Sequence, residues 1–107
     1  MPESARRTLV QRLEQHRRAR WSQLERLDVR FRTSFAYVDG VTGDDDRIPL
    51  CRLRWGGAAA RWGFAIWLAS RDRYEDAVLP SGAFTGSPED ALDCACGLYL
   101  HDPSAWI

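Results

Sequence analysis

The chain has no lysine, only two histidines and a single methionine among its 107 residues. All fifteen basic residues are arginine, so chemistry that needs a lysine Schiff base is excluded. There is no run of about 18 apolar residues and no apolar stretch near the amino terminus, so neither a membrane span nor a secretory signal is expected, and a cytoplasmic location is. The three cysteines lack the paired spacing of a zinc site or of a disulfide framework, and free buried thiols in a reducing compartment are the expectation. No glycine-rich phosphate loop and no nucleophile motif occurs. No cofactor and no metal is therefore expected, and binding is favoured over catalysis.

What is present suits one α+β domain over residues 1–107, with five Trp and four Phe supplying much of a modest core. The clearest element is a helix opening at Ser87. Ser87 is a good N-cap, Pro88 suits the first helical position, and Asp90 stands three residues after the cap. Ala91, Leu92, Ala95, Leu98 and Tyr99 recur at the spacing of one buried face, over about four turns that close before Asp102 and Pro103. A second helix, capped by Ser4, is expected through about Ala19, with Leu9, Val10 and Leu13 inside, Trp21 and Leu24 continuing the stripe, and a capping pair at Ser22 and Glu25 for a restart.

Between the helices the period is two. Residues 29–38 alternate Val29, Phe31, Thr33, Phe35 and Tyr37 with Arg30, Arg32, Ser34, Ala36 and Val38, which predicts one long strand. A strand over residues 48–55 sets Cys51, Leu53 and Trp55 against Arg52 and Arg54, and a third over residues 61–69 sets Trp62, Phe64, Ile66 and Leu68 against Ala65 and Trp67. Residues 74–79 add a short fourth strand or edge, and residues 83–85 another stub. The expectation is a three- to four-stranded antiparallel meander with both helices packed on one face, in the order α-β-β-β-(β)-α.

Charge is zero overall but uneven. Residues 1–73 hold fifteen Arg against nine acids, or +6, and the remainder holds six acids and no Arg, or −6. Such a layout either steers a charged partner, including a second copy, or is neutralised where the two halves stack. The first helix crowds Arg6, Arg7, Arg12, Arg17, Arg18 and Arg20 on its outer faces, for solvent or for an acidic partner. If both helices cover the face bearing Phe31, Leu53 and Phe64, the opposite face gathers Arg30, Arg32, Arg52, Arg54 and Trp67. Arginines beside a flat ring suit a protein interface, single-stranded nucleic acid, or an ordinary solvated sheet face. Asp44, Asp45 and Asp46 read as loop solubility, since the glycine and distal glutamate of a calcium loop are missing. An enzyme would need a pocket gathering Tyr74, Glu75, Asp76, His101 or the cysteines.

The α-β-β-β-α order resembles that of double-stranded RNA-binding domains, but Glu89 and Asp90 stand where that family presents basic residues to phosphate. The run GAFTGSPEDAL, Gly82 to Leu92, resembles the strand-to-helix signature of HicB-like antitoxins, which implies a small α/β domain that binds and blocks a partner toxin. Across its length, through the blocks WGFAI at residues 62–66, RYED at 73–76 and ALDCACGLYL at 91–100, the chain resembles a family of small actinobacterial proteins, a resemblance that implies no activity. The reading that follows is an interaction or regulatory module, antitoxin-like or a mobile-element accessory, that binds a protein partner or itself. The alternative is a nucleic-acid binder using the arginine and tryptophan face.

Overall fold

A computed structural model describes residues 1–58, 60–79 and 81–100. Its elements run α1 (Glu3–Arg20), β1 (Leu24–Arg32), β2 (Phe35–Thr42), β3 (Arg47–Ala58), β4 (Arg61–Leu68), β5 (Arg73–Asp76), β6 (Thr85–Gly86) and α2 (Pro88–Tyr99). The strands form one antiparallel sheet in the order β1-β2-β3-β4-β5, with β6 also paired to β4 beyond the end of β5. This is the expected α+β architecture. No helix among the described residues is long and apolar enough to cross a membrane.

The strand number exceeds the expectation because residues 29–38 are not one strand. The chain reverses at Thr33 and Ser34, pairing Arg32 with Phe35 and Phe31 with Ala36. Thr33 takes a positive φ of 52°, an uncommon conformation for a β-branched residue, and Ser34 anchors the turn by accepting a hydrogen bond from the Trp55 N–H at 2.8 Å. A two-residue reversal leaves the period of two intact along the sequence while exchanging the faces. Phe35 and Tyr37 therefore join Arg30 and Arg32, and Ala36 and Val38 join Phe31.

The amino-terminal helix opens at Pro2, whose carbonyl accepts from Ala5 and Arg6, rather than at Ser4. It stops at Trp21 without a helical restart, since residues 22 and 23 turn the chain straight into β1. At the other end the Ser87 side chain accepts from the Asp90 N–H at 3.1 Å, as the cap pattern requires. Leu100 is the C-cap of α2; the expected stop at Asp102 and Pro103, and His101, lie outside the described residues. Both helices lie on one face of the sheet, α2 over β3 and β4, α1 over β1 and against α2. Beneath them sits the core of Leu9, Leu13, Trp21, Val38, Leu53, Trp62, Phe64 and Leu92.

The charge asymmetry is taken up at the contact between the helices. Arg12 Nε donates to Glu89 Oε2 at 2.9 Å. Asp93 Oδ1 accepts from Trp21 Nε1 at 2.8 Å, meets His16 Nε2 at 2.7 Å and lies 3.7 Å from Arg20. Further along α1, Glu14 accepts the Leu27 N–H and the Arg17 guanidinium, while Arg17 donates to the Leu24 carbonyl, so two polar groups at the start of edge strand β1 are held by side chains of α1. Arg6 lies over the Phe31 ring at 5.4 Å. Most of the arginines of α1 thus make contacts within the molecule; Arg7, Arg18 and Arg20 are exposed, Arg20 beside Asp93.

Candidate functional site on the open sheet face

The face away from the helices is ordered in rows by the strand register. One row runs Arg32, Phe35, Arg54, Gly63 and Thr85 across β1, β2, β3, β4 and β6. The next runs Arg30, Tyr37, Arg52, Ala65 and Asp76. Trp67 and Tyr74 pair beside it. The five residues singled out from sequence, Arg30, Arg32, Arg52, Arg54 and Trp67, therefore share one face. Sequence reasoning missed their ring partners, because Phe35 and Tyr37 change sides at the unrecognised hairpin and Tyr74 stands on a strand only four residues long.

These rings form a chain. Phe35 and Tyr37 lie 6.4 Å apart, Tyr37 and Tyr74 5.4 Å, and Tyr74 and Trp67 5.1 Å, the last two edge to face. The Arg52 guanidinium sits 4.6 Å from the centre of Phe35 and 5.8 Å from that of Tyr74, and Arg30 lies over Tyr37 at 5.7 Å. Carboxylates compensate part of the charge: Arg52 meets Asp76 at 3.5 Å, Arg30 meets Asp39 at 3.7 Å, and Arg47 bridges Asp39 and Asp28 at 3.4 and 2.6 Å. Arg32 and Arg54 differ. Both are exposed, and among the described residues neither pairs with a carboxylate.

Beside them lies a groove of about 590 Å³. Phe35, Arg52 and Arg54 line one side, Gly63 and Ala65 the floor, and Phe84 and Thr85 the other side. The floor is low because β4 carries small residues there. A Cβ on Gly63 would stand 3.3 Å from that of Arg54, so even alanine crowds the adjacent strand. Phe84 remains 65% exposed at the lip, the most exposed large apolar residue described.

Burial, then the nearby Asp39 carboxylate, pushes the Tyr74 hydroxyl up to about 12. The folded protein holds this proton more tightly than the unfolded chain, whose ordinary value is 10.0. The contribution is complete below pH 10 and is lost as pH rises toward 12. Denaturant unfolding across that window should show stability falling, and Tyr74→Phe should remove part of the fall together with one phenolate step in the absorbance at 295 nm. The thiols contribute to the fall as well. Cys51, Cys94 and Cys96 are free and buried, and burial raises all three, Cys96 to about 12.

The described residues considered for catalysis or metal binding are not gathered, and His101 lies outside the described residues. Tyr74 and Asp76 face the groove side, Glu75 alternates away and meets Arg71 and Arg73, and the cysteines lie in the core across the sheet. Among the described residues no group of three His, Cys, Asp or Glu is placed to hold a metal ion. Asp44, Asp45 and Asp46 are exposed in the β2–β3 turn. No family model matches the chain, and neither a curated protein nor a solved structure matches it.

Proposed function

We propose that the protein is a non-catalytic, regulatory binding module that engages a partner protein through the open face of its sheet. One observation carries the reading: a chain of four aromatic rings threaded by Arg52 is left uncovered by both helices and adjoins a groove with an exposed phenylalanine at its lip. Tyrosine, tryptophan, phenylalanine and arginine are the residues that anchor protein interfaces, since they bury much area and lose little rotamer freedom.

A nucleic-acid reading has its own support in the row Arg32, Phe35, Arg54, where a ring stands between two cations that pair with no acid among the described residues. Against it, the rings that bases would stack on already carry the protein's own guanidinium groups, and Asp39 and Asp76 share the face.

The two separate by experiment. The purified chain and its Arg32→Glu/Arg54→Glu variant are used side by side to capture proteins from a lysate, with Arg7→Glu on α1 as control. A protein retained by the native chain and by the control but lost with the double variant supports the reading. Capture that ignores the double variant overturns it, as does oligonucleotide binding that weakens steeply with salt and is abolished by the same variant.

A further inference from the structure

We propose, resting on the protein-binding reading above, that the turn end of the open face receives an extended segment of the partner in which a carboxylate neighbours an aromatic side chain. The charge pattern along the strands motivates it. Toward residues 43–46, the cations of the face are matched: Arg30 and Arg47 by Asp39 and Asp28, and, midway, Arg52 by Asp76. Toward the turn at Thr33 and Ser34, and the end of β3 at Ala58, they are not. Arg32 on β1, Arg54 on β3 and Arg61 on β4 alternate onto the same face, all three are exposed, and among the described residues none pairs with an acid. An anion is the missing complement.

Geometry adds the second half of the motif. Arg32 and Arg54 are both register neighbours of Phe35, one strand away on either side, so their backbones stand roughly 10 Å apart and both guanidinium groups can converge on a carboxylate above β2. From there the groove descends past Arg54 on β3 and over Gly63 on β4 to the wall of Phe84 and Thr85. A flat apolar side chain beyond the acid enters between the Arg54 stem and Phe84, where the absence of a side chain at Gly63 leaves it room. A phosphate backbone satisfies the arginines but makes no use of this apolar slot.

The test is selection of a random peptide library displayed on phage against the full chain, followed by anisotropy titration of a selected peptide. Enriched sequences should place Asp or Glu two residues from Phe, Tyr or Trp, the spacing that turns both side chains of an extended segment toward the sheet. Arg54→Glu should weaken the peptide roughly tenfold or more, and Phe84→Ala severalfold, as truncation of central anchors does. Arg7→Glu should leave it unchanged. A peptide whose acid is replaced by arginine should regain affinity for the Arg54→Glu variant, which a merely misfolded face would not allow. All these positions are exposed, and circular dichroism confirms that each variant is folded. Selection of basic or purely aliphatic sequences, or a peptide indifferent to Arg54→Glu, overturns the inference while leaving variant-sensitive protein capture, and with it the broader reading, standing. Tighter binding of a single-stranded oligonucleotide, lost in Arg54→Glu, overturns both.

Discussion

Asp93→Ala should destabilise the protein by about 2 to 4 kcal/mol, read as a shift of the denaturant midpoint with little change in slope. A single carboxylate oxygen of α2 takes the indole N–H of Trp21 and meets His16, with Arg20 behind them. Trp21 is completely buried, so truncation leaves its N–H without an acceptor in the low-dielectric interior, a cost of about 1 to 3 kcal/mol by itself. Loss of the partly buried interhelical contact to His16 adds to it. Asp93→Asn keeps an acceptor and should cost less. Glu89→Ala, which breaks the more exposed pair with Arg12, should cost less than about 1 kcal/mol. The decisive measurement is a double-mutant cycle with Trp21→Phe: coupling of about 1 kcal/mol or more places the effect in the indole contact, and additivity refutes it.

This cluster shows which features a sequence displays and which it does not. The start of α2 is written locally, because a cap, a proline and an acid within four residues act on their own backbone. The uneven charge is also plain in the sequence, but its use is not. Whether Glu89 and Asp93 attract a partner or brace α1 depends on where two helices, separated along the sequence by all the strands, come to lie. Alternation told which residues of β3 and β4 share a face, so Arg52, Arg54 and Trp67 were placed correctly without knowledge of register. It failed at Thr33 and Ser34 because the reversal lacks the Asn-Gly or Asp-Gly signal of a tight hairpin and preserves the period across the turn. Arg30 and Arg32 kept their face only because they precede the reversal; Phe35 and Tyr37, beyond it, did not. The groove was illegible for another reason. Its walls come from β3 and from residues 84 and 85, and only the pairing of β6 with β4 brings them together over Gly63.

Trp62→Ala should have the larger effect on stability, about 3 to 5 kcal/mol, and Trp67→Ala the smaller, about 1 kcal/mol, although the two stand on the same strand. Trp62 is 1% exposed and faces the helices, with its ring edge-on to Trp55 at 5.2 Å and its backbone paired to Gly86 just before α2 begins. Deleting it opens a cavity that the paired strands on both sides of β4 are poorly able to close. Because a domain of this size is held by only about 5 to 15 kcal/mol, such a loss brings it close to unfolding at ambient temperature. Trp67 lies across the sheet, partly exposed, and among the described residues its one ring contact is with Tyr74. Its removal should leave the fold intact and strip part of the proposed docking face. Equal losses for the two variants, followed by circular dichroism during denaturant unfolding, would show that the sheet does not have one core face and one open face, and the binding surface built on that division would go with it.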